Sequence, residues 1–120
     1  MNILIVEDDK LLQQALDAKF SDAGARCTIS SNGREAIEAL EKEKFDAIIL
    51  DIIMPEVDGF QVLEEKQTSL NADTPTFVVS NLDAEADYQK AIDLGATKCF
   101  LKARVTLKGL VEEIVEELDK

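Results

Sequence analysis

The stretch ILIVEDD, residues 3–9, runs four apolar residues directly into three carboxylates. Three further apolar runs have the same form: AIIL ends before Asp51, TFVV before Ser80 and CFL before Lys102. Short apolar runs bounded by polar residues are typical of buried strands in a parallel sheet. Because the carboxyl ends of such strands lie along one edge, the pattern predicts one cleft that holds carboxylates, a hydroxyl and an ammonium group.

Strand-like and helix-like patterns alternate along all 120 residues, with no linker, repeat or low-complexity tract between them. We predict strands over residues 2–7, 25–30, 46–50, 76–80 and 97–101, and amphipathic helices over residues 10–23, 33–43, 59–69, 84–94 and 106–118. Five such strand–helix units joined by short connections predict a single doubly wound α/β domain built on a five-stranded parallel sheet.

The charge balance argues against several classes of partner. Thirteen basic and 25 acidic residues give a net charge of −12, which repels phosphate backbones and anionic membranes. We therefore expect no direct binding of nucleic acid. No apolar stretch approaches the roughly 20 residues that span a bilayer, so we expect no membrane insertion. The first predicted strand leaves no room for a signal peptide, which favours a cytoplasmic location.

The two cysteines, Cys27 and Cys99, do not indicate a metal site. They lack a CxxC spacing, and the chain contains no histidine. We expect reduced thiols, as is usual in the cytosol.

The acidic residues Glu7, Asp8 and Asp51 would meet where two predicted strands end. Two carboxylates about 4–5 Å apart repel by roughly 3–4 kcal/mol at an effective dielectric constant of 20. A cluster of three therefore shifts towards neutral forms or recruits a cation, and Mg²⁺ suits it because this ion prefers oxygen ligands. Alternatively, Asp8 and Asp9 only cap the first helix, an interpretation that we favour for Asp9 and not for Asp8.

Asp51 ends its predicted strand among almost continuous apolar residues. A carboxylate in such surroundings is costly unless it binds or reacts. An aspartate can attack a phosphoryl donor and form an acyl phosphate. Lys102 would neutralise charge that accumulates on the phosphoryl oxygens, and Ser80 could donate a hydrogen bond to one of them.

These motifs resemble those of the receiver domains of bacterial two-component response regulators. The resemblance rests on ILIVEDD, on DIIMPEVDG (residues 51–59), on TPTFVVS (residues 74–80) and on GATKCFLK (residues 95–102). It covers essentially the whole chain, so we interpret residues 1–120 as one receiver domain. It implies a flavodoxin-like fold with strand order 2-1-3-4-5. That order puts Cys27 and Cys99 at opposite edges of the sheet, too far apart for a disulfide.

The resemblance also implies roles for the residues of the cleft. Asp51 would be the phosphoacceptor, Ser80 the switch hydroxyl and Lys102 the ammonium group that contacts phosphate. The donor would be a sensor histidine kinase or a phosphotransfer protein. The chain would assist its own phosphorylation and dephosphorylation without being a conventional enzyme.

Mg²⁺ would be the cofactor of this chemistry. By resemblance, Asp8 and Asp51 would bind the ion directly and Glu7 would contact it through water. The main-chain carbonyl of Ile53 would complete the protein ligands.

Two positions depart from the family pattern. Receiver domains usually carry an aromatic residue three positions before the lysine and a proline after it, whereas this chain has Cys99 and Ala103. Phe100 cannot replace the aromatic residue, because neighbouring residues of a strand face opposite sides of the sheet. A cis peptide bond before a non-proline residue costs about 3 kcal/mol, so we expect a trans bond before Ala103.

A downstream partner would bind the surface formed by the fourth helix, the fifth strand and the fifth helix. Tyr88, Lys90 and Lys108 are the candidate contacts, although a merely solvated face explains them equally well. Ile53 and Leu82 occupy positions that, in the family, tune access of water to the acyl phosphate. Both are apolar, which predicts slow self-hydrolysis.

Two other functional classes compete with the phosphorylation switch. A pseudo-receiver would use the same fold as a phosphate-independent binding module, but it usually lacks one of the acidic or lysine positions that this chain retains. A magnesium-dependent hydrolase would need a further general base, and none is evident. Since the sequence ends just after the fifth predicted helix, the chain is either a stand-alone regulator or part of a longer protein.

Overall fold

The computed structural model describes all 120 residues and contains every predicted strand and helix. The strands are β1 Asn2–Val6, β2 Arg26–Ser30, β3 Ala47–Leu50, β4 Thr76–Ser80 and β5 Lys98–Leu101. The helices are α1 Lys10–Asp22, α2 Gly33–Lys42, α3 Gly59–Lys66, α4 Glu85–Asp93 and α5 Leu107–Leu118, with a 3₁₀ turn over Lys102–Arg104. The largest difference from the prediction is at α3, which ends at Lys66 instead of residue 69. There the Ser69 hydroxyl donates to the Lys66 carbonyl at 2.8 Å and closes the helix.

The five strands form one parallel sheet in the order β2-β1-β3-β4-β5, as the family resemblance implied. Neighbouring residues of each strand face opposite sides of the sheet, and each side supports its own hydrophobic core. Leu4 and Val6 of β1 pack beneath α2, α3 and α4. Ile3 and Ile5 pack beneath α1 and α5. With helices on both faces, the central strands are buried except for Asn2 at the start of β1, and ligands can reach only the strand ends.

Side chains cap most of the helices at the edge where the strands end. Asp9 caps α1 by accepting from the Leu11 and Leu12 amides, as predicted. Asn32, Asp58 and Thr106 do the same for α2, α3 and α5. Helix α4 is the exception, because Ala84 occupies its N-cap and supplies no side-chain acceptor.

The two thiols lie far apart, and the helices are short or polar. Both cysteines are free, and they lie on β2 and β5 at opposite edges of the sheet. No helix combines the length and the apolar character that a membrane crossing requires.

Asn71 joins three segments at the end of the sheet where the strands begin, opposite the cleft. It is completely buried, and its side-chain oxygen accepts from the Phe45 amide at 2.7 Å and from the Thr74 hydroxyl at 2.9 Å. Its side-chain nitrogen donates to the Leu40 and Glu43 carbonyls, both at 2.8 Å. One side chain thus ties the end of α2 and the approach to β3 to the connection between α3 and β4.

We predict that Asn71→Ala lowers the free energy of unfolding by about 3 kcal/mol, because it leaves buried main-chain groups without partners. Urea denaturation followed by circular dichroism measures this loss. Gln14→Ala, at an exposed position of α1, is the control and should change stability by less than about 0.5 kcal/mol. Equal stability of the two variants would contradict the role given to Asn71.

Candidate functional site

The carboxyl ends of β1, β3, β4 and β5 meet in one open cleft of about 470 Å³. The cleft is lined by Glu7, Asp8, Asp9, Asp51, Ile53, Ser80, Asn81 and Lys102. All six residues assigned to the site from the sequence are in this set. The fold therefore brings together side chains that lie up to 95 positions apart in the chain, the separation of Glu7 and Lys102 (102 − 7).

Asp51 lies at the centre of the cleft and is only 5% exposed. One carboxylate oxygen, Oδ1, accepts from the Ser80 hydroxyl at 2.7 Å and from the Ile53 amide at 3.3 Å. The other, Oδ2, lies 3.0 Å from the Lys102 ammonium nitrogen. A buried carboxylate with every partner in place is fixed in orientation, as a nucleophile requires.

Lys102 bridges two carboxylates, since its Nζ also lies 2.8 Å from Glu7 Oε1. Burial is the largest single influence on the pKa of Lys102 and lowers it, but the hydrogen bonds to Glu7 and Asp51, together with the charges of these two groups, outweigh burial and raise the pKa overall. Lys102 therefore remains an ammonium ion at neutral pH. Its charge offsets part of the repulsion between the two acidic groups.

Burial dominates at Glu7 and raises the pKa of its carboxyl group, and the charge of Asp51 acts in the same direction. The hydrogen bonds from Lys102 and from the Asp9 amide oppose this shift. Glu7, Asp8 and Asp51 each offer a carboxylate oxygen within 4.8 Å of the others. Such a set of hard oxygen donors fits Mg²⁺, which binds proteins through one or two carboxylates and retains waters.

Three residues support the site although their roles were missed in the sequence. A side chain at Gly59 would place its Cβ 2.5 Å from the Asp51 carbonyl oxygen, so the close approach of α3 requires glycine. Asn81 Oδ1 accepts from the Ala103 amide at 2.9 Å and holds the turn that carries Lys102. Gln13 donates to the Glu7 carbonyl from beneath the cleft. Its helical spacing from Leu16 and Phe20 places Gln13 on the buried face of α1, and this spacing could have identified it in the sequence.

The two departures from the family pattern have clear structural outcomes. No peptide bond is cis, so the bond before Ala103 is trans as expected. Cys99 packs against the core beneath α2, α3 and α4, and its sulfur lies 4.0 Å from the Tyr88 carbonyl. Phe100 is buried in the opposite core, which confirms that it cannot take the place of Cys99.

The residues expected to control water access are not equivalent. Ile53 lines the cleft beside Asp51 with a side chain that is 58% exposed. Leu82 is buried in the core beneath α4 and does not line the cleft. Only Ile53 is therefore placed to shield the carboxylate directly.

The family model of the response regulator receiver domain matches residues 3–114, and the chain belongs to this family. The Regulator of RpoS from Escherichia coli K12 is 36% identical over 112 residues, which are 93% of this chain and 33% of that protein. The transcriptional activator protein PfeR from Pseudomonas aeruginosa is 38% identical over 94 residues, 78% of this chain and 30% of that protein. The chain thus spans about a third of the length of these curated relatives.

Solved structures agree with the fold. A CheY-like response regulator receiver domain protein from Methanospirillum hungatei JF-1 matches with a TM-score of 0.90 and 25% sequence identity. The match covers 98% of this chain and 93% of that one. The five-stranded doubly wound domain is therefore a flavodoxin-like receiver domain, the signalling module of two-component systems.

The raised pKa of Glu7 predicts a pH effect on stability. The folded protein binds the Glu7 proton more tightly than the unfolded chain does, so the free energy of unfolding falls as the pH rises from 4.5 through the folded-state pKa. In EDTA, wild type should lose stability across this window relative to Glu7→Gln, as measured by urea denaturation. Glu38→Gln, on the exposed surface of α2, controls for removal of an acidic charge. A relative gain in wild-type stability with rising pH would contradict the assignment.

Proposed function

We propose that this chain is a phosphorylation-controlled signalling switch, in which Asp51 accepts a phosphoryl group from a sensor histidine kinase or a phosphotransfer protein. The observation that carries the proposal is the state of Asp51, which is a buried carboxylate held between the Ser80 hydroxyl at 2.7 Å and the Lys102 ammonium at 3.0 Å. Both partners can bind phosphoryl oxygens as well as carboxylate oxygens. The entire span of residues 1–120 would act as this one module.

In the proposed reaction an Asp51 oxygen forms a bond to phosphorus while the bond between phosphorus and the donor nitrogen breaks. The electron pair of that bond leaves with the imidazole of the donor. Lys102 would then bind a phosphoryl oxygen in place of Asp51 Oδ2, and Ser80 would donate to another phosphoryl oxygen. Both groups begin within hydrogen-bond distance of the carboxylate, so small movements suffice.

Mg²⁺ is the proposed cofactor, held by Asp8 and Asp51, by Glu7 through water and by the main-chain carbonyl of Ile53. When bound, the ion would screen the repulsion between the Asp51 carboxylate and the incoming phosphoryl anion. The mutual distance of the three carboxylates, within 4.8 Å, supports this assignment. Asp8 is exposed and lines the cleft, so its carboxylate can bind the ion in place of water.

The surface formed by α4, β5 and α5 would transmit the signal to a downstream protein. The Tyr88 hydroxyl lies 3.5 Å from the Ser80 carbonyl, which links the proposed switch residue to α4. Lys90 and Lys108 are exposed on α4 and α5, where a protein partner can reach them. The Lys90 ammonium also lies 4.3 Å from the centre of the Phe60 ring, so a movement of α4 would change a contact with α3. We propose that a downstream protein binds this surface differently after phosphorylation.

Incubation with acetyl phosphate and Mg²⁺ tests the function. Wild type should gain about 80 Da, the mass of one phosphoryl group, because the held carboxylate attacks the donor. Asp51→Asn should gain nothing, and EDTA should suppress the wild-type reaction. Asp83→Asn, an exposed neighbour of the site, is the control and should be phosphorylated normally.

Mass spectrometry of the intact protein separates the alternatives. No adduct on wild type would favour a phosphate-independent binding module. Steady hydrolysis of the donor without an adduct would favour a hydrolase. An adduct that persists in Asp51→Asn would show that another residue accepts the phosphoryl group.

Ile53 should control the lifetime of the adduct, since its apolar side chain lines the cleft beside Asp51 and would hinder the approach of water there. We predict that Ile53→Asn shortens the lifetime about tenfold, equivalent to ~1.4 kcal/mol in the barrier to hydrolysis. Leu70→Asn replaces an equally exposed apolar side chain that does not line the cleft, and should leave the lifetime unchanged. Loss of the adduct after removal of the donor is followed by mass, and equal lifetimes would contradict the role of Ile53.

A further inference from the structure

Gln13 is a buried polar residue on the apolar face of α1. It lies between the helix and the sheet, 5% exposed, on the same face as Leu16 and Phe20. A glutamine in that position costs free energy unless its amide group is satisfied. Its side-chain nitrogen has two acceptors, the main-chain carbonyl of Glu7 and the Ser31 hydroxyl oxygen at 3.0 Å.

The Glu7 carbonyl has no other donor. Strand β1 ends at Val6, so the sheet does not reach this carbonyl, and no main-chain amide donates to it. The Glu7 amide itself donates to the Ser30 carbonyl at 3.1 Å. Gln13 is therefore the group that satisfies the first carbonyl beyond the strand.

That carbonyl belongs to the peptide that joins Glu7 to Asp8. A peptide group is planar, so holding its oxygen also sets the direction of the Asp8 amide and the position of the Asp8 Cα. The Glu7 carboxylate is held separately, by the Asp9 amide at 3.0 Å and by Lys102 at 2.8 Å. Asp8 is exposed in the cleft, and its placement therefore depends on the peptide that precedes it.

We propose that Gln13 is a positioning residue for the cation site, which fixes the Glu7–Asp8 peptide and so keeps the Asp8 carboxylate close to that of Asp51. The inference rests on the Mg²⁺ site of the proposed function. The neutral amide suits this task, because it donates a hydrogen bond without placing a positive charge near a divalent cation. Gln13 itself does not touch the ion.

Mg²⁺ binding to the intact chain, measured by calorimetry, tests the proposal. Gln13→Met keeps the length of the side chain but removes both donors, and should raise the Mg²⁺ dissociation constant about tenfold, the lower end of what loss of an orienting partner costs. Gln14→Met makes the same change one residue away at an exposed position and should leave the constant within about twofold of wild type. Equal affinities of Gln13→Met and wild type would overturn the proposal.

A second variant separates the two contacts of Gln13. Ser31→Ala removes the hydroxyl acceptor and leaves the Glu7 carbonyl in place, so Mg²⁺ affinity should stay near that of wild type. An equal loss in Ser31→Ala and Gln13→Met would assign the effect to Ser31 and overturn the role of the Glu7–Asp8 peptide. Urea denaturation of the metal-free variants completes the comparison. A Gln13→Met protein that is less stable but binds Mg²⁺ normally would show a purely structural role.

A measurement on wild type keeps the proposal testable if Gln13→Met does not fold. The side-chain amide protons of Gln13 should shift in nuclear magnetic resonance spectra as Mg²⁺ is added, together with the Asp8 amide, whereas those of Gln14 should not. Shifts at Asp8 without any at Gln13 would overturn the inference alone. Absence of Mg²⁺ binding by wild type would overturn both the inference and the cation site of the proposed function.

Discussion

The burial of the Asp51 carboxylate at the end of a central strand is the constraint on which the site depends. A charge in that position must be compensated. Ser80 on β4 donates a hydrogen bond to the carboxylate, and Lys102, which follows β5 on the far side of β4, forms an ion pair with it. Since β5 does not touch β3, the lysine side chain must extend past β4 to reach the carboxylate. The order of the strands, their common direction and the tight turn held by Asn81 are all needed for one ion pair to form.

Much of this arrangement could be predicted from the sequence, because apolar runs mark buried strands and the first polar residue after each run marks the open edge. The residues Glu7, Asp51, Ser80 and Lys102 were found in this way. The strand order required the family resemblance, since periodicity says nothing about which strands are neighbours. The roles of Gln13 and Asn71 escaped prediction because residue type suggests a solvated side chain, and only the fold shows which main-chain groups lack partners.

The departures at positions 99 and 103 lie beside the cleft and change none of the residues that line it. With Cys99 on β5, the aromatic side chain whose hydroxyl reaches the Ser80 carbonyl belongs to α4, as Tyr88. With Ala103 after the lysine, a trans peptide and the hydrogen bond to Asn81 shape the turn. Under the proposed function, these departures therefore bear on how α4 would respond to phosphorylation and not on the reaction at Asp51.

The uncapped start of α4 has a consequence for the stability of that helix. A side-chain cap stabilises a helix by about 1 kcal/mol, and Ala84 provides none, so only the favourable charges of Glu85 and Asp87 support the first turn. The first turn of this helix can consequently unwind and rewind at low energetic cost while the rest of the domain keeps its packing. A single substitution at position 84 that supplies a side-chain acceptor would therefore stabilise this turn without altering any residue that lines the cleft.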